Sequence, residues 1–271
     1  QPKDAEAEFN EALAIRKDHP GALLGLALVA SESFDARAVK LAELALEADP
    51  KLVEARELLA RLALEDTDHA RAAAEADKAL AISPDALDAM AVRATIDLLE
   101  DKPGTPWIRR ILERNPRYGK AYETIGRFFV LNRRYEEGIA WFRKALEIAP
   151  ELWSARSQLG INLMRLGRDQ EAREHLEACY HNGHQDAATR NTLTLLDSYR
   201  NFETFRSGNV ILKLHKREAA LLRPYFEAET KRAMAVYEKK YGLTLDAPVQ
   251  VEVYPDHEDF AVRTLGMPEI G

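Results

Sequence analysis

The chain has 271 residues, enough for one large domain or two ordinary ones, and its 46% hydrophobic and 31% charged residues describe a soluble folded chain rather than a disordered one. A net charge of −7 with no basic block excludes the usual nucleic-acid-binding surface, and the single cysteine, Cys179, excludes an intrachain disulfide and a zinc ribbon. The longest apolar stretch, residues 22–30, is too short to span a bilayer. No signal peptide is visible. The chain opens on Gln1 rather than Met, so it reads as a processed or excised form whose upstream sequence could carry a targeting signal. A cytoplasmic and a periplasmic setting are both compatible with it.

Ala and Leu dominate, which favours helix. Residues 8–15 read as the second helix of a repeat whose first helix is cut off. Residues 22–30, then Ala38, Ala45 and Pro50, form the first full unit, and Ala55, Leu59, Ala60 and Ala63 begin another that ends at Pro84. The unit of residues 85–116 is two residues short and carries Lys102-Pro103-Gly104-Thr105-Pro106, which predicts a distorted turn before a helix starting at Trp107. The next unit reads Tyr122-x-x-Ile125-Gly126-x-x-Phe129, then Gly138, Phe142 and Ala145. The one after it reads Arg156-x-x-Leu159-Gly160-x-x-Leu163, then Ala172, Leu176 and Cys179.

Pro50, Pro84, Pro116 and Pro150 punctuate these units at spacings of 34, 32 and 34. Each stops a helix by forcing the residue before it out of the helical region. The period and the internal positions closely resemble the tetratricopeptide repeat, W-x2-L-G-x2-Y followed by A, F, A and P. The expected fold is an all-α tetratricopeptide solenoid over residues 1–186, with about five repeats and a leading half-repeat.

After His184 the periodicity fades. Residues 186–200 read as one more helix, and residues 187–205 as a capping helix and linker. In residues 210–215, Val210, Leu212 and Leu214 alternate as in a strand. A long helix is predicted from about residue 218 to 240, entered near Pro224 and closed by Gly242. Val249, Val251 and Val253 mark a second strand ended by Pro255, and Asp256 is placed to cap a short helix over residues 258–264. Two strands and one helix cannot cover both faces of a sheet, so residues 206–271 read as a small truncated α/β segment, the first part of a larger domain.

This segment resembles the start of the gluzincin-type zinc-peptidase domain that follows tetratricopeptide repeats in some bacterial proteins, over roughly residues 187–271. The resemblance rests on residues 190–199, on Val251-Glu252-Val253-Tyr254-Pro255-Asp256, and on Phe260 with Arg263-Thr264-Leu265-Gly266-Met267-Pro268. It implies an H-E-x-x-H helix whose two imidazoles hold zinc. The one His-Glu pair here is His257-Glu258, and the place of the second His is taken by Ala261. On this reading the catalytic helix lies beyond Gly271. The present chain then has no catalytic residue, no metal site and no cofactor, with zinc reserved to a longer parent protein.

The repeats imply a groove lined by the first helices, suited to a protein or peptide ligand. In this register the groove-facing ninth positions are Arg61, Thr95, Arg127 and Ile161, flanked by Glu54, Glu57, Lys120, Glu123, Ser157 and Arg165. The Lys and Asn set that grips a C-terminal carboxylate in some tetratricopeptide domains is missing. Two arginines and a lysine favour an acidic partner, against the competing reading that they are ordinary solvated helix charges. His181-Asn182-Gly183-His184 offers two imidazoles in a turn without a third ligand and is read as structural. Cys179 occupies a helix seam and is expected to be buried and inert. Trp107, Trp141 and Trp153 fall at repeat positions and read as packing residues. Neither a G-x-S-x-G elbow nor a phosphate-binding G-x-x-x-x-G-K loop occurs.

Overall fold

A computed structural model describes residues 2–33, 35–102, 104–245 and 247–268; Pro103 of the predicted distorted turn and the terminal Gly271 lie outside them. The chain divides into two compact units, residues 1–152 and 153–271.

Among the described residues of the first unit, all regular secondary structure is helical. Helix α1 (Pro2–Ile15) precedes four helix pairs: α2 (Pro20–Glu32) with α3 (Arg37–Ala48), α4 (Val53–Glu65) with α5 (His69–Ile82), α6 (Leu87–Leu99) with α7 (Pro106–Arg114), and α8 (Gly119–Leu131) with α9 (Tyr135–Ile148). This is the repeat architecture expected from the proline spacing. Its core is built largely of alanine, with Ala27, Ala42, Ala60, Ala72, Ala76 and Ala79 all buried. Side chains this small let helix axes approach closely. One such close approach joins α8 and α9, where a Cβ on Gly126 would lie 2.9 Å from the Phe142 ring and 3.0 Å from the Gly138 carbonyl. Helix α7 has nine residues where α5 and α9 have fourteen, the local cost of the short third unit.

Four of the first helices end in one recurring way. Thr67, Asp101, Arg133 and Gly167 take left-handed φ values of 60°, 53°, 63° and 74°. The next residue's N–H then reaches back to a carbonyl inside the helix, as in Asp68 to Ala63 and Arg134 to Phe129, each at 2.9 Å. Their spacing of 34, 32 and 34 repeats that of the prolines. Three of the four are not glycine, so residue type alone did not mark them.

The second unit opens with a helix pair of the same kind, α10 (Trp153–Arg165) and α11 (Asp169–His181), followed by α12 (Ala187–Ser198) and a short 3₁₀ turn over Tyr199–Asn201. Strands β1 (Phe202–Ser207) and β2 (Val210–His215) precede the long helix α13 (Ala219–Tyr241), then β3 (Val249–Val253) and α14 (His257–Leu265). The sheet order is β1-β2-β3, with β1 antiparallel and β3 parallel to β2.

Strand β1 was not expected. It pairs with β2 through a two-residue Gly208–Asn209 turn in which Gly208 has φ +59°. A Gly-Asn pair between strand-compatible residues is a hairpin signal, but Glu203 and Arg206 obscured the alternation. Helix α13 begins at Ala219, close to the expected residue 218, which leaves Pro224 inside it rather than at its entrance. Asp256 holds the N-cap position of α14 with extended backbone, yet its side chain makes no capping hydrogen bond.

Both sheet faces find cover within this unit. Val210, Leu212 and Leu214 pack with Val251 and Val253 against Leu222, Phe226 and Met234 of α13. On the other face, Lys213 reaches Asp169 at the start of α11, and Gln250 lies against the Gly167 turn. The final helix pair therefore supplies the layer that two strands and one helix lacked.

Candidate functional site

Of the ninth positions, Arg61 and Arg127 carry their charge outward while Thr95 and Ile161 are buried. The Thr95 hydroxyl donates to the Ala91 carbonyl of its own helix at 2.7 Å and faces no groove. Ser157 is buried as well, 2.7 Å from the Thr189 hydroxyl. These three placements correct the expectation that they line a binding surface. The cause is length: a short side chain at this position stays between the helices, whereas an arginine stem crosses the apolar layer and delivers its guanidinium to the rim.

The two arginines meet. Arg61 Nη1 donates to Glu65 Oε1 at 2.9 Å, and Arg127 Nη2 donates to the same oxygen at 2.8 Å from 62 residues away. Helix α6 packs against both α4 and α8, so the Arg127–Glu65 pair spans it. The small, buried Thr95 lies on this intervening helix. Arg61 is held a second time, by Nη2 on the Ser31 hydroxyl of α2 at 3.0 Å, while that hydroxyl donates to the Leu28 carbonyl. The side chain of Glu65 is 14% exposed, against 26% for Arg61 and 37% for Arg127. Two partly exposed cations thus sit over one more deeply placed anion.

Lys120 faces elsewhere. Its Nζ donates to Asp88 Oδ2 at 3.0 Å, and the Tyr118 hydroxyl donates to the other oxygen of Asp88. Asp88 and Tyr118 border a crevice of about 480 Å³ that also contains Glu54, Glu57, Lys51, Leu52 and Leu87. Burial pushes the Glu57 carboxyl up to about 6, and Asp88 and Glu54 add to the rise; the Ala89 N–H, donating at 3.0 Å, opposes it. Glu123 is half-buried on α8.

A raised carboxyl pKa means that the folded state binds its proton more tightly than the unfolded chain does. The resulting stability is full below about pH 4.5 and is lost as pH rises through about 6. Glu57→Gln should therefore melt with the parent chain at pH 4 and above it at pH 8, by on the order of 1 kcal/mol once solvent screening is allowed for. Identical melting curves at pH 8 would remove Glu57 as a strained carboxylate.

In the second unit Arg165 donates to Asn162 Oδ1 at 2.9 Å and to the Thr264 carbonyl at 3.3 Å, which ties α10 to α14 rather than to a ligand. Around it lies a charged network that was not foreseen. Lys213 bridges Asp169 and Glu252, Glu252 also accepts from Arg263, Gln250 and the Tyr254 hydroxyl, and the Tyr199 and Tyr254 hydroxyls are 2.6 Å apart. Burial pushes the Glu252 carboxyl up, but Arg263, Tyr254 and Lys213 together hold it below the usual range. Two cations and two anions balance, and Asp169 keeps a second, buried oxygen without a hydrogen-bond partner. Such a set joins elements rather than offering charge to a ligand.

Among the described residues no group of three or more His, Cys, Asp or Glu side chains could hold a metal ion. His184 lies 2.7 Å from Asp186, the N-cap of α12, as a turn contact. Cys179 is buried, with burial pushing its thiol up to about 11. No helix among the described residues is long and apolar enough to cross a membrane.

The family model for the tetratricopeptide repeat matches residues 108–152. Among solved structures, TTC0263, a thermophilic TPR protein of Thermus thermophilus, is 20% identical with a TM-score of 0.50, covering 65% of this chain and 98% of that one. YrrB, a TPR protein whose structure is described as having an unusual peptide-binding site, is 20% identical over 62% of this chain and 89% of its own, with a TM-score of 0.39. MamA is 17% identical over 59% and 90%, with a TM-score of 0.36. No curated protein matches the chain in sequence. The matched family model lies within the repeats, so the zinc-peptidase resemblance of residues 187–271 rests on the residues quoted for it alone.

Proposed function

We propose that this protein is a protein- or peptide-binding scaffold that grips an acidic segment with Arg61 and Arg127 on the first-helix face of residues 1–152. A fold shared by many binding proteins does not by itself fix what is bound, so the site must supply the chemistry. The observation that supports the reading is the convergence of two partly exposed guanidinia, one from α4 and one from α8, on the single carboxylate of Glu65. Five N–H donors on each guanidinium exceed what one carboxylate oxygen accepts, and planar donors suit a second carboxylate. Two positive charges against one negative leave an excess that attracts an anionic partner.

Reversing both charges tests this. In the double variant Arg61→Glu/Arg127→Glu, affinity for a fluorescein-labelled peptide of alternating Glu and Gly should fall at least about tenfold, and its dependence on salt should flatten. The helical circular-dichroism signal should persist, since neither guanidinium is a core group. Unchanged affinity in a folded double variant would refute the site.

A further inference from the structure

Glu65 sits where an anion is poorly placed. It is the last residue of α4, beside the negative end of the helix dipole. What offsets that is its position under the two arginines: one a turn back on its own helix, the other reaching in from α8. The buried Ser31 holds Nη2 of Arg61 from the protein side, and the Arg127 guanidinium lies 6.0 Å from the centre of the Phe128 ring. The carboxylate is the least exposed of the three charged groups, and both guanidinia stay partly open to solvent.

We infer that Glu65 sets the charge preference of this arginine pair, holding its excess at a single positive charge and so limiting the advantage that a doubly charged phosphate group has over a carboxylate. The inference rests on the binding reading above and adds the class of anion. With Glu65 ionised, one incoming carboxylate brings the cluster to neutrality. A phosphoserine, with a charge of about −1.5 to −2, leaves an uncompensated negative charge close to Glu65. Removing the Glu65 charge should help every anion, and should help a dianion by roughly the square of the factor for a monoanion, because the Coulomb term scales with ligand charge.

The experiment compares two labelled probes, the peptide of alternating Glu and Gly and its counterpart with phosphoserine at each Glu position. They are titrated against the full chain, Glu65→Gln and Glu65→Asp. In Glu65→Gln, affinity for the glutamate peptide should rise about threefold and for the phosphoserine peptide about tenfold. Glu65→Asp, which keeps the charge on a shorter stem, should leave the ratio of the two where it was. Equal gains for both probes in Glu65→Gln would overturn the inference, as would losses for both, which would show that Glu65 only holds the arginines in place. A ratio that moves equally in Glu65→Asp would overturn it too, by assigning the effect to geometry. If Arg61→Glu/Arg127→Glu abolishes binding while the ratio stays fixed in Glu65→Gln, this inference falls and the binding reading stands. If neither probe binds any of the folded proteins, both fall together.

Discussion

Replacing Lys213 by methionine is expected to destabilise residues 153–271 by about 3–5 kcal/mol, the cost of breaking a buried charge set by removing one member. The Lys213 side chain is 11% exposed, between Asp169 on one side and Glu252 on the other, and its ammonium lies 4.8 Å from the centre of the Tyr199 ring. Without it, the set falls from two cations and two anions to one cation and two anions. Arg263 still serves Glu252, so Asp169 bears most of the loss. The triple variant Lys213→Met/Asp169→Asn/Glu252→Gln should recover a good part of the stability, since removing the partners together avoids the uncompensated charge. Denaturant unfolding, with hydrogen exchange to assign the transition to residues 153–271, measures both. A Lys213→Met variant within about 1 kcal/mol of the parent would mean that the network is not closed to water as its burial implies.

Gly160→Leu and Gly126→Leu should each cost at least about 1–3 kcal/mol, the usual range for overpacking a close helix crossing. The first added carbon is already excluded at both. At Gly160 it would stand 2.6 Å from Leu176 Cγ and 3.1 Å from the Ala172 carbonyl, and at Gly126 it would meet the Phe142 ring and the Gly138 carbonyl. A backbone carbonyl cannot swing aside as a side-chain end can. The two substitutions fall in different units, so thermal melts with exchange mapping should show residues 153–271 loosened by the first and residues 1–152 by the second. A melt unchanged by either would place these glycines away from the crossings.

How much of this was legible beforehand follows from the range over which each feature is determined. Prolines at a near-constant period, small residues at Gly126, Gly160 and Ala145, and apolar residues at helical spacing are local signals, and they were enough to give the helix pairs and their order. The alternation of Val210, Leu212 and Leu214 likewise gave β2, and Val249, Val251 and Val253 gave β3. Strand β1 escaped because half of its side chains stay exposed and polar, so its pairing with β2 rather than its own pattern defines it.

The site divides along the same line. Repeat register selected Arg61 and Arg127, but it selected Thr95 and Ile161 on equal terms, because position in a repeat does not say how far a side chain extends past its neighbours. Nothing in the sequence pointed to Glu65, an ordinary acidic residue at a helix end. Its role depends on Arg127 spanning an intervening helix, a contact 62 residues apart. Nor could Lys213, on a strand, be linked to Asp169 on a helix 44 residues earlier. The helices, their pairing and the charges available on their faces could be read from the residues alone, since these depend on neighbours within a turn or a repeat. Which charges are neutralised and which are left over depends on the packed chain, because an ion pair is set by distance and burial, and both are settled only when helices and strands far apart in the chain come together.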